Sequence, residues 1–273
     1  MNVSSQFGED GIIQRIFEIL PKQEVYWCVE FGAWDGKFLS NTYELISSHG
    51  WSGVLIEGNK SKFPQLQKTY AGNNNVTLIN KLVQFEGTDT LDNILAQTKI
   101  PADFDLLSID IDGNDYHVWD SLQKYFPRIV IVEFNPSIPG DVEFVQQKKF
   151  SINHGNSLLS MIKLGKSKGY EIIATTACNA FFVKKEYFDL FEIADNSISE
   201  IWETEKEAPR VFQLYDGTLV LTEEFTMIWG KDKVDKYDLQ KYPRFVRHFG
   251  DSTSGKGLKV LKKIYYKLRS VKK

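Results

Sequence analysis

Short apolar runs alternate with amphipathic stretches through the first two-thirds of the chain. Residues 26–31 (YWCVEF), 53–57 (GVLIE), 76–83 (VTLINKLV), 106–110 (LLSID) and 129–133 (IVIVE) are rich in branched and aromatic side chains. They lack the strict in-out alternation of a half-exposed strand. Such runs predict parallel strands covered on both faces. Between them, residues 38–49, 60–70, 90–97 and 116–125 carry a helical pattern, the first closed by Gly50 and the second with Pro64 near its start. The expected product is a right-handed doubly wound α/β sheet.

The rhythm changes after Pro136. Residues 137–156 contain Pro139, Gly140 and Gly155 and read as a loop with room for a helical piece. Residues 157–168 form an amphipathic helix with Ser157 as its cap. Two β-rich runs follow, 170–176 and 181–183, with only residues 177–180 between them. That connection is too short for a crossover helix, so the pair is expected to be antiparallel. Residues 186–207 are acidic and carry no clear period. Two strand-like runs within 211–229 flank Asp216-Gly217, a hairpin signal. In residues 258–268, Leu258, Leu261, Tyr265 and Leu268 mark one face of a Lys-rich amphipathic helix. The domain reading is therefore a main domain over 1–190, an extension with a β-hairpin over 191–255 and a basic amphipathic tail over 256–273.

Charge and cysteine usage narrow the function classes. The 273 residues hold 33 basic and 36 acidic side chains, a net charge of -3. Eight of the basic residues fall in 256–273, which has no acid, so the body is left with 25 against 36. A body that acidic argues against a nucleic-acid-binding surface. The tail suits an anionic membrane surface, an acidic partner or a self contact, including a homo-oligomeric one. Cys28 and Cys178 form no paired motif and read as reduced thiols of a cytoplasmic protein. No basic-then-apolar leader and no membrane-length apolar run is evident.

The most informative segment is Glu30-Phe31-Gly32-Ala33-Trp34-Asp35-Gly36, a strand ending in E-x-G-x-x-x-G. Glycine at a strand-to-helix turn allows close backbone approach to a ligand. Trp34 stands where the second Gly of a dinucleotide fingerprint belongs, which weakens a pyrophosphate or nicotinamide reading. The next strand ends in Glu57, placed to accept both hydroxyls of a ribose.

A second cluster follows the fourth strand: Asp110, Asp112, Asn114 and Asp115 around Gly113. An EF-hand reading fails, because its sixth and twelfth positions would be Asp115 and Ser121. Hard oxygens from adjacent strand ends, Asp110 with Glu133 and Asn135, are candidate ligands for Mg²⁺ or another divalent cation. Candidate bases are Asp112, preferred, with Asp115, His154 and His117. Asn179 reads as a polar pocket residue or a turn former.

Taken together, these pieces resemble class I S-adenosylmethionine-dependent methyltransferases, and their longer order resembles the FkbM-like branch. The pieces are Ser5-Gln6-Phe7-Gly8-Glu9-Asp10, the VEFGAWDG turn, Leu55-Ile56-Glu57-Gly58, residues 107–115 (LSIDIDGND), residues 131–136 (IVEFNP) and residues 178–183 (CNAFFV). The resemblance covers about residues 4–185. It implies a Rossmann-like seven-stranded sheet with the last strand antiparallel, and methyl transfer, usually to oxygen. The implied acceptor is a small molecule or glycan, with a sugar hydroxyl of bacterial polysaccharide or natural-product biosynthesis foremost.

The resemblance also assigns roles. Glu30 would hold the methionine amino group. Gly32, Ala33, Asp35 and Gly36 would pass under the methionine and ribose. Glu57 and Gly58 would meet the ribose, Leu82 or Val83 the adenine, and Asp110 would line the same site. Gln6 lies in a segment, residues 6–10, expected to fold over it. The D-x-D of Asp110 and Asp112 leaves a metal-dependent glycosyltransferase as the alternative, and a non-catalytic binding module as a third reading.

Overall fold

The computed structural model describes residues 3–202, 211–214, 218–221, 225–226, 233–235, 239–240, 260 and 264. The chain divides into two compact units, Met1–Glu205 and Lys206–Lys273.

The first unit is built on seven strands: β1 Trp27–Phe31, β2 Ser52–Ile56, β3 Val76–Ile79, β4 Leu106–Ile109, β5 Ile129–Glu133, β6 Tyr170–Thr175 and β7 Asn179–Lys184. Their order is β3-β2-β1-β4-β5-β7-β6. β1 to β5 run parallel, while β7 is antiparallel to both β5 and β6. This is the mixed seven-stranded sheet expected from the resemblance. The helices are α1 Glu9–Ile19, α2 Tyr43–His49, α3 Phe63–Thr69, α4 Leu91–Leu95, α5 Asp115–Ser121, α6 Leu158–Ser167 and α7 Ile198–Ile201, with a 3-10 helix over Lys185–Phe191.

The continuous apolar strands are explained by a core on each face of the sheet. Val29, Phe31, Leu107, Val130 and Val132 pack on one side with Trp119 and Met161. Cys28, Leu55, Leu106, Ile129 and Ile131 pack on the other with Ile13, Ile16 and Phe17 of α1. Under the far end of the sheet, Arg128 and Asp105 form an ion pair at 2.9 Å with side chains 3% and 5% exposed.

Several boundaries differ from the sequence reading. The helix expected over 38–49 begins only at Tyr43, because Ser40, Asn41 and Thr42 turn their polar groups to Glu30. The third strand ends at Ile79 rather than 83, and the helix expected over 116–125 ends at Ser121. The helix α1 was not read from the sequence, and it absorbs Glu9 and Asp10 from the segment expected to fold over the site. The loop over 137–156 contains no helix.

In the second unit, β8 Val211–Gln213 pairs antiparallel with β9 Leu219–Leu221, the hairpin expected there. A further pair joins β10 Phe225–Thr226 and β11 Lys233–Val234. Apart from Val260 and Ile264, the basic tail lies outside the described residues.

Candidate functional site

Parallel strands present their carboxyl ends at one edge of the sheet, where α/β folds bind ligands. β1, β2, β4 and β5 deliver Glu30, Glu57, Asp110 and Glu133 to that edge. Because β7 runs the other way, its first residue, Asn179, joins them opposite Glu133.

The turn after β1 is shaped by two left-handed residues, Gly32 (φ 77°) and Trp34 (φ 46°). A Cβ on Gly32 would lie 2.0 Å from the carbonyl oxygen of Asp110, so only glycine fits. The Trp34 amide donates to Glu57 Oε2 at 2.8 Å, and the Asn59 amide donates to Glu57 Oε1 at 2.6 Å. Those two bonds hold the strand-terminal carboxylate against the glycine turn. Asp35 caps the next turn by accepting from the amides of Lys37 and Phe38. Leu82 is 49% exposed beside Gly58, whereas Val83 is buried in the core, so of the two only Leu82 has an accessible side chain. Gln6 is exposed.

Glu30 is buried and accepts from Ser40 Oγ at 2.6 Å, Thr42 Oγ1 at 2.7 Å and the Asn41 amide at 2.9 Å. Burial pushes its pKa up, against the lowering effect of those three donors. Its carboxylate thus organises the chain after β1. The sequence signal for this was present: a Ser-Asn-Thr run suits turns and caps better than a helix interior. Glu9 is also committed internally, accepting from the Phe7 amide, Thr176 Oγ1 and Asn179 Nδ2. Asp10 accepts from the amides of Val3, Ser4 and Ser5.

The turn after β4 sorts its acids by role. Asp115 is buried and accepts from the amides of Ile111 and Gly113, at 2.9 and 2.8 Å. It fixes the turn. Asp112, at φ 56°, is thereby directed outward and exposed. Oxygens of Asp110, Asp112 and Glu133 lie within 4.8 Å of one another. Part of Asp110 reaches water, yet protein atoms crowd its carboxyl. That desolvation, then Asp115, Asp112 and Glu30, push it up to about 7. Burial and the neighbouring carboxylates likewise raise Glu133 well above the usual range.

Asn135 does not join this cluster, contrary to its expected role as a metal ligand. Its Nδ2 donates to the His154 carbonyl at 2.6 Å, and its Oδ1 accepts from the Ser137 amide and hydroxyl. Asp112 takes the third place instead. The chemistry of that donor set, three carboxylates with few donors of their own, fits a hard divalent cation.

His117 is buried on α5 with Nε2 2.7 Å from the Gln146 carbonyl, and burial lowers its basicity. It faces the loop over 137–156. The His154 backbone is held by Gln146 Oε1 and Asn135, and the residue itself is exposed. Gln146, which sequence reading missed, is 2% exposed and accepts from the amides of His154 and Gly155 while donating to the Ile152 carbonyl. It is the internal peg of that loop.

No Lys or Arg among the described residues pairs with any of these strand-end carboxylates. The described residues include no helix long and apolar enough to cross a membrane.

No family model and no curated protein matches the sequence. Among solved structures, the chain is similar to the N-terminal domain of EvdMO1, crystallised with SAH and D-fucose. The identity is 14% over 66% of this chain and 84% of that one, with a TM-score of 0.43. It is also similar to a SAM-dependent methyltransferase from Aquifex aeolicus, at 10% identity over 65% of this chain and 89% of that one, TM-score 0.39. A third is TYW2 of M. jannaschii in complex with AdoMet, at 13% identity over 64% of this chain and 76% of that one, TM-score 0.36.

Proposed function

We propose that the chain transfers a methyl group from S-adenosylmethionine to an oxygen of a small-molecule or sugar-derived acceptor. The observation that carries this reading is the charge of the strand-end edge. It gathers Glu30, Glu57, Asp110, Asp112 and Glu133 at the strand ends, and among the described residues no basic side chain is paired to them. Such a surface attracts an ammonium and a sulfonium and repels a bare diphosphate. The same charge disfavours a nicotinamide dinucleotide.

When bound, S-adenosylmethionine supplies a methyl group on a positively charged sulfur. Glu57 keeps lone pairs for the ribose hydroxyls beyond the amides of Trp34 and Asn59 that orient it. Gly32 lets the β1 turn close against the ligand, and Leu82 offers an apolar edge to the base. Glu30 contributes negative potential from below while holding residues 40–42 in place. Asp112, an exposed carboxylate of the cluster, receives the acceptor's proton as the new carbon–oxygen bond forms. Asp115 positions it by fixing the turn, and exposed His154 stands with the acceptor-side loop.

Isothermal titration with S-adenosylhomocysteine tests the reading. The wild-type chain should bind, and Glu57→Gln should weaken binding about 10-fold or more, as expected for hydrogen bonds to a charged group. Absence of heat with S-adenosylhomocysteine, with binding of a nucleotide sugar plus Mn²⁺ instead, would replace methyl transfer by glycosyl transfer.

A further inference from the structure

Helices α1 and α2 lie on the same face of the sheet and bury residues in the core there. They do not close on each other completely. A cavity of about 490 Å³ remains between them, within the size range of small-molecule sites. α1 contributes Asp10, Ile13 and Phe17 to its wall, spaced as one helix face. α2 contributes Leu45, while Tyr26 and Trp51, just ahead of β1 and β2, close one end. That end is aromatic: Trp51 stacks on Tyr26 at 4.8 Å and meets Phe17 edge-on at 4.7 Å.

Asp10, 8% exposed, lines the opposite end. Its Oδ2 accepts from the amides of Val3, Ser4 and Ser5 and from the Ser5 hydroxyl. Its Oδ1 is buried with no hydrogen-bond partner. Burial pushes the carboxyl up, but those donors outweigh it and hold the group below the usual carboxylate range, so it is charged at neutral pH. Among the described residues no basic side chain pairs with it. The other polar groups of the wall are engaged elsewhere. Lys22 donates to the Phe17 carbonyl at 2.8 Å, His49 lies 3.9 Å from Glu44, and Asn41 Nδ2 donates to Ser108 Oγ at 3.0 Å. A buried, charged oxygen without a donor is costly, and at the end of an apolar cavity it calls for a donor from outside the chain.

We propose that this cavity binds a primary amine carried on an apolar, aromatic body. The ammonium donates to Asp10 Oδ1 in a charge-assisted hydrogen bond. The body lies along Ile13 and Leu45 and ends against Phe17 and Trp51. Asp10 and Phe17 stand two helical turns apart, about 10 Å along the axis of α1. That length suits an aryl ring joined to its nitrogen by a short alkyl chain. A carboxylate in place of the amine is repelled by Asp10, and a quaternary ammonium, with no N–H, leaves Oδ1 without a donor. The site is built from α1, α2 and the residues ahead of β1 and β2, and it stands independently of the methyl-transfer reading.

Isothermal titration of the full chain with phenylbutylamine, phenylbutanol and phenylbutyrate tests the site, since the three probes share a body and differ in charge. The amine should bind one to a chain, the alcohol about 10-fold or more weakly, and the acid not measurably. Asp10→Asn, with its fold checked by melting curve, should weaken the amine about 10-fold or more and leave the alcohol unchanged. Leu45→Phe fills the cavity from α2 without touching the hydrogen bonds of Asp10, and should weaken amine and alcohol alike; it decides the matter if Asp10→Asn does not fold. Glu57→Gln should bind the amine as the wild type does. No heat with the amine at millimolar concentration would overturn the proposal, as would equal binding of amine and alcohol or undiminished amine binding by Leu45→Phe. Loss of the amine in Glu57→Gln would place it at the strand-end carboxylates and overturn the proposal as well. S-adenosylhomocysteine binding, measured separately, reports on the methyl-transfer reading alone.

Discussion

Replacing Gly32 with alanine separates two costs that usually arrive together. Its φ of 77° strains any residue with a Cβ, at about 1–2 kcal/mol. In addition, that Cβ would meet the Asp110 carbonyl at 2.0 Å, and the Asp110 carbonyl carbon at 3.2 Å. The obstacle is backbone at the end of a central strand and cannot rotate aside. Overpacking of this kind adds about 1–3 kcal/mol. Gly32→Ala should therefore cost about 2–5 kcal/mol. Gly50→Ala is the control: its φ is 70°, but nothing lies within 4 Å of the added atom. It should cost only the backbone share, about 1–2 kcal/mol. Urea unfolding followed by circular dichroism measures both, with the comparison made at equal m-value. Gly32→Ala should also lose S-adenosylhomocysteine binding, while Gly50→Ala keeps it. Equal destabilisation of the two variants would refute the steric argument.

Arg128→Ala strands Asp105 in a buried site and should destabilise the chain by about 3–5 kcal/mol in urea; a loss below 1 kcal/mol would contradict the burial of the pair. Gln146→Ala should cost about 1–3 kcal/mol and raise hydrogen exchange at the amides of His154 and Gly155, with unchanged exchange counting against the peg role. Asp110 gives the pH dependence. Its pKa, near 3.8 in the unfolded chain, rises to about 7 in the fold, so its stabilising contribution is complete below about pH 4 and declines as pH climbs to 7. The metal-free melting temperature should therefore fall more steeply between pH 5 and 8 in the wild type than in Asp110→Asn, and identical slopes would dismiss the shift.

The strands were legible because both their faces are covered, so their apolar runs are unbroken and need no period. The turn after β1 was legible because a glycine and two acids at strand ends are local features. What escaped was set by distant contacts. Ser40, Asn41 and Thr42 suit a turn better than a helix interior, but nothing local names Glu30, about ten residues earlier, as the group they serve. Asn135 looks like a ligand from its spacing to Glu133, but the His154 carbonyl, 19 residues on, takes its amide. Asp112 entered the cluster through a left-handed backbone turn that residue type alone does not announce. Gln146 sits in a polar stretch, and only its buried position in the folded loop distinguishes it from its neighbours.

Placing β7 between β5 and β6 also constrains how the chain is made. The Ile-Val-Ile-Val edge of β5 leaves the ribosome about 50 residues before the segment that covers it, Asn179–Lys184. At ordinary synthesis rates that gap lasts roughly 3–10 s. During it the nascent sheet offers a bare, sticky margin to any other unfinished chain. Shortened versions ending before Lys184 would keep that margin for good, and should accumulate as insoluble material.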